Sequence, residues 1–225
     1  AQGGHTWPGG FQQPRWLVGE TSQDIDASQL FGDFFSVTDL SPPPTRMDEP
    51  LNPISFEFFH RFLLYQATFN ISLTLQLETI LEPALCESAL RLVMQRHPIL
   101  RSRVAIDLQS PDRYFWHQLP ISSPLPLTWC QLEASAADLS ATFSTLERNH
   151  QNCCLRLDRS VPFHLFIVPW QQQLTYLQLV ASHTALDGKS LLLFQRDFLR
   201  FYSALQQGKS PQVTPTALGG DWSRL

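Results

Sequence analysis

The segment from Leu174 to Gln206 places an apolar run, a histidine, a turn and a long amphipathic stretch in immediate succession. The run Leu174–Ser182 is short, apolar and preceded by three glutamines, which predicts a buried strand. A period of two puts these residues on one face of that strand: Thr175, Leu177, Leu179, Ala181 and His183. Asp187 and Gly188 then lead into Lys189–Gln206, where apolar residues recur at helical spacing. We therefore expect His183 to project from a strand end, held rigidly between a sheet and a helix.

The rest of the chain alternates between the two periods of secondary structure. We predict helices over Ser55–Tyr65, Pro83–Arg96 and Ala136–His150, and strands over Phe69–Glu78, Ile99–Ile106, Arg113–Gln118, Leu125–Gln131 and Pro162–Pro169. Pro83 suits the first position of its helix, and Pro98 ends that helix. This order predicts an α/β protein in which helices cover one side of a sheet whose strands pair largely out of sequence order.

Composition excludes several classes of function. The chain of 225 residues is 43% hydrophobic and carries a net charge of −4, so a substantial core is expected and a nucleic-acid partner is not. We predict no membrane span and no signal peptide, which makes a soluble, cytoplasmic protein the default expectation. The cysteines Cys86, Cys130, Cys153 and Cys154 form no Cys-x-x-Cys pair and predict neither a metal site nor a redox motif.

Turn-forming residues set the expected domain boundaries. Glycines and prolines are scattered through residues 1–50, which predicts an irregular N-terminal extension. Residues 51–208 carry the regular periodic segments and form the expected domain. Residues 209–225 are expected to be a C-terminal tail or linker.

Three motifs resemble a known superfamily. His183-Thr-Ala-Leu-Asp187-Gly188 resembles the His-x-x-x-Asp-Gly signature of the thioester-dependent acyltransferases, which include chloramphenicol acetyltransferase and the condensation domains of nonribosomal peptide synthetases. The stretch Arg96–Arg103 is similar to the Arg-His-x-x-Leu-Arg motif of condensation domains, and Pro53–Leu77 is similar to their first helix and strand. The resemblance implies the chloramphenicol acetyltransferase-like two-layer sandwich, a mixed sheet covered by helices on one side, with residues 51–208 as the N-terminal subdomain.

The same resemblance implies a role for each residue of the candidate site. His183 would be the general base that lets a hydroxyl or amine attack an acyl thioester, a task suited to a side chain whose ordinary pKa is about 6.5. Asp187 would hold the turn by pairing with Arg101, and Gly188 would keep the helix start open to the acyl chain. Ser182 stands where condensation domains usually carry a first histidine, and we expect it beside the substrate. The implied donor is acyl-coenzyme A or the acyl-phosphopantetheine of a carrier protein, with no bound cofactor and no metal.

Simpler interpretations stay open for each residue. Asp187 could do no more than cap the helix that starts at Gly188, and Arg101 could lie at the surface beside any carboxylate. His183 and Asp187, four residues apart, could ligate a metal, although the sequence places no third ligand.

Length is the main departure from the resemblance. Condensation domains consist of two similar halves that together are about twice as long as this chain. The Asp-Phe-Gly-like motif of their second half is not present in this sequence. Three arrangements are open. The chain could be an N-terminal half with a separate second half-domain chain, or a homo-oligomer such as a trimer with the site at a subunit interface. It could also be a half-domain used for binding. The alternative to an acyltransferase is therefore a non-catalytic scaffold module. A partner or an oligomer is expected in each case, because an isolated half exposes a large apolar face.

Overall fold

The computed structural model describes residues 49–65, 69–107, 110–132, 139–171 and 173–216. The predicted extension before residue 49 and the first residues of the predicted helix at Ala136 lie outside these ranges. The chain divides into two compact units. One consists of Ser41–Phe58 and Thr68–Leu225, and the other of Ala1–Leu40 and Phe59–Ala67. The first helix, α1 (Pro53–Tyr65), begins in the former unit and ends in the latter.

A four-stranded mixed sheet forms the centre of the larger unit. Its order is β2 (Asn70–Leu77), β7 (Leu174–Ser182), β6 (Phe163–Trp170) and β5 (Leu127–Trp129). Strand β7 pairs antiparallel with both neighbours, whereas β5 runs parallel to β6. The strand predicted over Leu174–Ser182 is confirmed, and it is a central strand because its apolar residues need cover on both faces.

Two helices cover one face of this sheet, as the sequence predicts. Helix α2 spans Pro83–Arg96 and the last helix, α4, spans Gly188–Gln206. Val93 of α2 and Phe198 of α4 are almost fully buried and share one core cluster with Leu165 and Leu179 of the strands. Burying a side chain of this size stabilises the fold by about 1.5–3 kcal/mol. The core therefore fixes the start of α4 against the end of β7, where His183 lies.

Helix α3 (Leu139–Gln151) lies on the opposite face and is held there by both aromatic and polar contacts. Gln178 follows Leu177 on β7 and so points away from the apolar core. Its side chain donates to the carbonyl of Glu147 at 3.0 Å and lies 2.8 Å from His150 Nδ1. The hydroxyl of Thr74 bonds the carboxylate of Glu147. The sheet therefore has two helices, α2 and α4, on one face and helix α3 on the other.

A three-stranded sheet of order β1 (Glu49–Pro50), β4 (Ser110–Gln118) and β3 (Ser102–Asp107) lies beside the first. The strand predicted from Ile99 is wrong over its first three residues, because Pro98–Arg101 forms a 3₁₀ turn between α2 and β3. Proline favours the first position of such a turn, where it needs no amide hydrogen. Among the described residues, no helix combines the length and apolarity required to cross a bilayer.

The segment after α4 runs back to the end of α2. Thr216 donates from its backbone nitrogen to the carbonyl oxygen of Arg96 at 2.7 Å and from its hydroxyl at 3.0 Å. The described part of the predicted tail, residues 209–216, is irregular and ends on the last turn of α2.

Candidate active site at the end of the central strand

The turn after β7 is built from its own backbone. The amides of Ala185 and Leu186 donate to the carbonyl oxygen of Ser182 at 3.0 and 3.1 Å. The amide of His183 donates to the carbonyl oxygen of Phe69 at 2.7 Å, which extends the β2–β7 pairing by one residue. His183 is therefore fixed at the point where the strand leaves the sheet, as predicted.

Asp187 caps helix α4. Its Oδ1 accepts hydrogen bonds from the Ser190 amide at 2.8 Å and from the Ser190 hydroxyl at 2.6 Å. Such a cap satisfies one of the free amides at the start of a helix. Burial acts to raise the pKa of Asp187, but the bonds from Ser190 and the nearby His183 outweigh it, so the pKa lies below its ordinary value. The carboxylate is thus ionised and turned into the helix.

The imidazole of His183 is exposed, and its ring nitrogens have no hydrogen-bond partner among the described residues. Its ring stacks on Phe58 of α1, with centroids 5.0 Å apart and an interplanar angle of 12°. Phe58 in turn meets the ring of Phe69 edge-on at 5.6 Å. An exposed imidazole with both nitrogens open can take a proton from a molecule that approaches the strand end.

Helix α1 is attached to the same turn. The hydroxyl of Ser55 donates to the carbonyl oxygen of Thr184 at 2.6 Å, and both residues are buried. Asn52 fixes the start of the helix by accepting from the Ser55 amide at 2.9 Å. The predicted first helix is thereby brought against the His183 turn.

The structure does not form the predicted pair between Asp187 and Arg101. The Arg101 guanidinium donates instead to the carbonyl oxygen of Leu119 at 2.8 Å, and burial lowers its pKa. Asp187 needs no distant cation because Ser190, three residues further on, already bonds its carboxylate. The interpretation of Asp187 as a helix cap is confirmed, and Arg101 holds the strand connection after β4.

The arginine-histidine motif contacts α4 through a residue that the sequence did not single out. Asp197 is fully buried and lies 2.9 Å from Arg96 Nε, 2.8 Å from His97 Nε2 and 3.1 Å from Arg196 Nη2. Burial acts to raise the pKa of Asp197, but the bonds from His97 and Arg196 and the charges of Arg196 and Arg96 hold it below its ordinary value. The sequence did carry a signal, since Asp197 falls on the apolar stripe formed by Phe194, Phe198 and Phe201.

Ser182 and Gly188 flank the turn in different environments. Ser182 is 5% exposed, and its hydroxyl oxygen lies 3.3 Å from the Thr184 amide, inside the turn. Its contact with substrate stays a prediction. A methyl group added at Gly188 would meet no atom within 4 Å, so the first residue of α4 borders open space.

A small cleft lies beside the Asp187 cap rather than at the His183 ring. Its volume is about 80 Å³, well below the roughly 300–1,000 Å³ of ligand pockets. It is lined by His97, Ile99, Leu100, Leu186, Ser190, Leu193 and Phe194. In the part of the chain that the structure describes, no group of three or more metal-ligating side chains is placed to hold an ion.

A cysteine and a histidine also meet on the α3 side of the sheet. Cys130 Sγ lies 3.8 Å from His150 Nε2. Burial raises the pKa of Cys130, and burial lowers the pKa of His150 against the opposing effect of its bond with Gln178. Both groups are therefore held neutral, and the thiol is not activated as a nucleophile.

A comparison with known proteins finds a matching family. The family model described as "Condensation domain" matches residues 48–218. The N-(5-amino-5-carboxypentanoyl)-L-cysteinyl-D-valine synthase of Penicillium rubens is 27% identical over 164 residues, which are 70% of this chain and 4% of that protein. The curated relatives are thus far longer than this chain.

Two solved structures show the same architecture. The first condensation domain of the CDA synthetase superposes with a TM-score of 0.66 at 21% identity, over 80% of this chain and 44% of that one. The X-domain from teicoplanin biosynthesis superposes with a TM-score of 0.63 at 26% identity, over 79% of this chain and 37% of that one. The chain spans less than half the length of either structure.

Proposed function

Because this chain belongs to the condensation-domain family, we propose that it supplies the base-bearing half of an acyltransferase site, with His183 as the general base. The observation that carries the proposal is the exposed imidazole at the end of the central strand, whose nitrogens bond no group within the described ranges. The Asp187 cap supports it, because the neighbouring carboxylate is committed to Ser190 and does not take up the imidazole.

The proposed reaction moves an acyl group from a phosphopantetheine thioester of a carrier protein to an amine. The His183 imidazole accepts a proton from the amine as its nitrogen bonds to the thioester carbonyl carbon. The carbon–sulfur bond then breaks, and the imidazolium returns the proton to the leaving thiolate. Relatives named as peptide synthetases favour an amine, since a peptide bond is an amide. Coenzyme A thioesters and hydroxyl acceptors are the other members of the predicted substrate class.

We propose that a second half-domain completes the site by forming the wall opposite His183. In support, the chain spans 44% and 37% of the two solved structures. A second half-domain or another copy of this chain would supply that wall. The mass of the purified protein, measured by light scattering over a range of concentrations, tests this part. A chain that stays monomeric and active alone would overturn it.

The test of the base measures thiol release from an acyl-phosphopantetheine donor in the presence of an amine, and compares the wild-type protein with its variants. His183→Ala should lower kcat by about 10²–10⁴-fold, as expected for loss of a general base. His164→Gln is the matched control, because His164 lies on the same sheet but bonds Thr128 at 2.8 Å. Equal rates for wild type and His183→Ala would remove His183 as the base.

The likeness to the X-domain favours a second candidate, a binding module without catalysis. That X-domain has also been solved as a complex with OxyB. This chain matches the structure of the complex at 25% identity with a TM-score of 0.62. In this case the protein would form a stable complex with a partner protein, and His183→Ala would leave its affinity for that partner unchanged. Loss of acyl transfer in His183→Ala would decide for the catalytic function.

A further inference from the structure

We propose that Phe58 is a positioning residue for His183, which holds the plane of the imidazole so that its nitrogens face an approaching acceptor. This inference rests on the proposed function of His183 as the base. It starts from the parallel stack of the two rings, 5.0 Å between centroids and 12° between planes.

A catalytic histidine needs something to fix its ring. Usually one ring nitrogen donates a hydrogen bond to a carbonyl or carboxylate, which sets both the tautomer and the orientation. Neither nitrogen of His183 has such a partner among the described residues, and Asp187 is engaged by Ser190. Rotation of the imidazole is therefore limited by packing, and the Phe58 ring supplies a flat surface on one face.

Phe58 can serve this purpose because it is itself held. Its ring is braced edge-on by Phe69, the residue whose carbonyl oxygen binds the His183 amide. Ser55 and Phe58 are three residues apart and so share one face of α1. Ser55 bonds Thr184, so two adjacent residues of the turn meet two residues of one helix face.

The stack also constrains where substrate can approach. It covers one face of the exposed imidazole, and no described residue bonds the nitrogens at the ring edge. Proton transfer takes place in the plane of the ring, at a nitrogen lone pair. A fixed plane therefore fixes the direction from which an acceptor can deliver its proton, and misplacement of about 1 Å at such a step can cost a hundredfold in rate.

The decisive variants are Phe58→Leu, which keeps an apolar side chain without an aromatic face, and Phe58→Tyr, which keeps the ring. Phe56→Leu is the matched control, because Phe56 lies on the same helix and its ring contacts Tyr114 at 5.5 Å. In the protein with ¹³C-labelled histidine, nuclear magnetic resonance reports the shift and the order parameter of the His183 ring.

Phe58→Leu should move the His183 ring-proton signals downfield, as the ring current of Phe58 is lost, and should lower the order parameter. Phe58→Tyr and Phe56→Leu should leave both unchanged. An unaltered order parameter in Phe58→Leu would overturn the positioning role, whatever the activity of the protein.

Kinetics then tests the purpose of the stack. In the acyl-transfer assay, Phe58→Leu should lower kcat about tenfold with little change in KM. Phe58→Tyr, which keeps the ring, should retain the kcat of wild type. A mobile ring with an unchanged kcat would overturn the inference while leaving His183 as the base. Equal acyl-transfer rates for wild type and His183→Ala would instead remove His183 as the proposed base. The resonance measurement would still decide whether Phe58 orders the ring of His183.

Discussion

Helix α4 carries two histidine–aspartate neighbourhoods that differ in how their groups are used. At its start, Asp187 binds its own helix, and His183 is exposed, with ring nitrogens that no described residue bonds. Three turns on, Asp197 is fully buried, and His97 Nε2 lies 2.8 Å from its carboxylate beside two arginines. The same residue types thus form an open site at one position and a saturated structural cluster at the other.

The difference shows what separates a candidate base from a structural histidine. His97 has a side chain 18% exposed and a carboxylate partner, so its nitrogen is committed to joining α2 to α4. In the part of the chain that the structure describes, the nitrogens of His183 bond no other group, and the residue is held by its backbone and by the Phe58 ring. We therefore expect changes at the Asp197 cluster to alter stability, and changes around His183 to alter activity.

Removal of Asp197 should have the largest effect on stability. Asp197→Ala leaves Arg96 and His97 partly buried without their carboxylate, and breaking a buried ion pair in this way costs about 3–5 kcal/mol. We expect a value near the lower end, because Arg196 is 59% exposed and can regain water. Urea unfolding at neutral pH measures the loss.

The control for this prediction is Asp158→Ala. Asp158 also bonds arginines, at 2.8 Å to Arg156 and 3.4 Å to Arg159, but its side chain is 21% exposed. A pair near the surface contributes about 0–1 kcal/mol. Equal losses in the two variants would break the comparison between a buried cluster and a surface pair.

Acid should weaken the protein through the same cluster. The pKa of Asp197 is lowered in the fold, so its stabilising effect is complete above the unfolded-state pKa and is lost as the pH falls through the folded-state pKa. The free energy of unfolding should therefore fall below about pH 4, where an unfolded aspartate begins to bind a proton. In Asp197→Asn, the free energy of unfolding should fall less steeply with decreasing pH. A fall as steep as that of wild type would show that other carboxylates cause it.

Ser55→Ala should have an intermediate effect. It leaves the buried carbonyl oxygen of Thr184 without its donor, which costs about 1–3 kcal/mol. Ser88→Ala is the matched control, because Ser88 is an exposed helical serine whose hydroxyl bonds only the Ala84 carbonyl of its own helix. Thermal unfolding of both variants separates the tertiary bond from the local one, and equal midpoints would contradict a structural role for Ser55.

The elements of this fold follow from local patterns, whereas the site depends on distant contacts. Helix α2 is predicted with its observed bounds because Pro83 marks its start and Pro98 prevents its continuation. Strand β7 is predicted with its observed bounds because glutamines precede its apolar run and a turn follows it. The sequence predicts strand for the last three residues of the 3₁₀ turn Pro98–Arg101, since a turn of four residues is too short to show a period.

The site was predicted in part for the same reason. The end of β7 just before His183 follows from the local period, and the Asp187 cap joins residues only three positions apart, so the sequence displays both directly. The pairing of Asp197 with His97 joins residues 100 positions apart, and the stack of Phe58 on His183 also joins separate elements. No single-sequence period reports such contacts, and the pair of Asp187 with Arg101, which the resemblance implies, is replaced by local bonds of each residue.

Gly188→Ala should change stability least and is the sharpest probe of the open site. The added methyl group meets nothing within 4 Å, and alanine at a helix start costs less backbone entropy, so stability should rise by up to about 0.5 kcal/mol. If the space beside Gly188 receives the acyl donor, the KM for the donor should rise while the folded protein is unharmed. Gly208→Ala supplies the opposite result, since φ is +69° there and a left-handed alanine costs about 1 kcal/mol without reaching the site. An unchanged donor KM in Gly188→Ala would show that the open space at the start of α4 belongs to solvent, and would confine the site to the His183 ring.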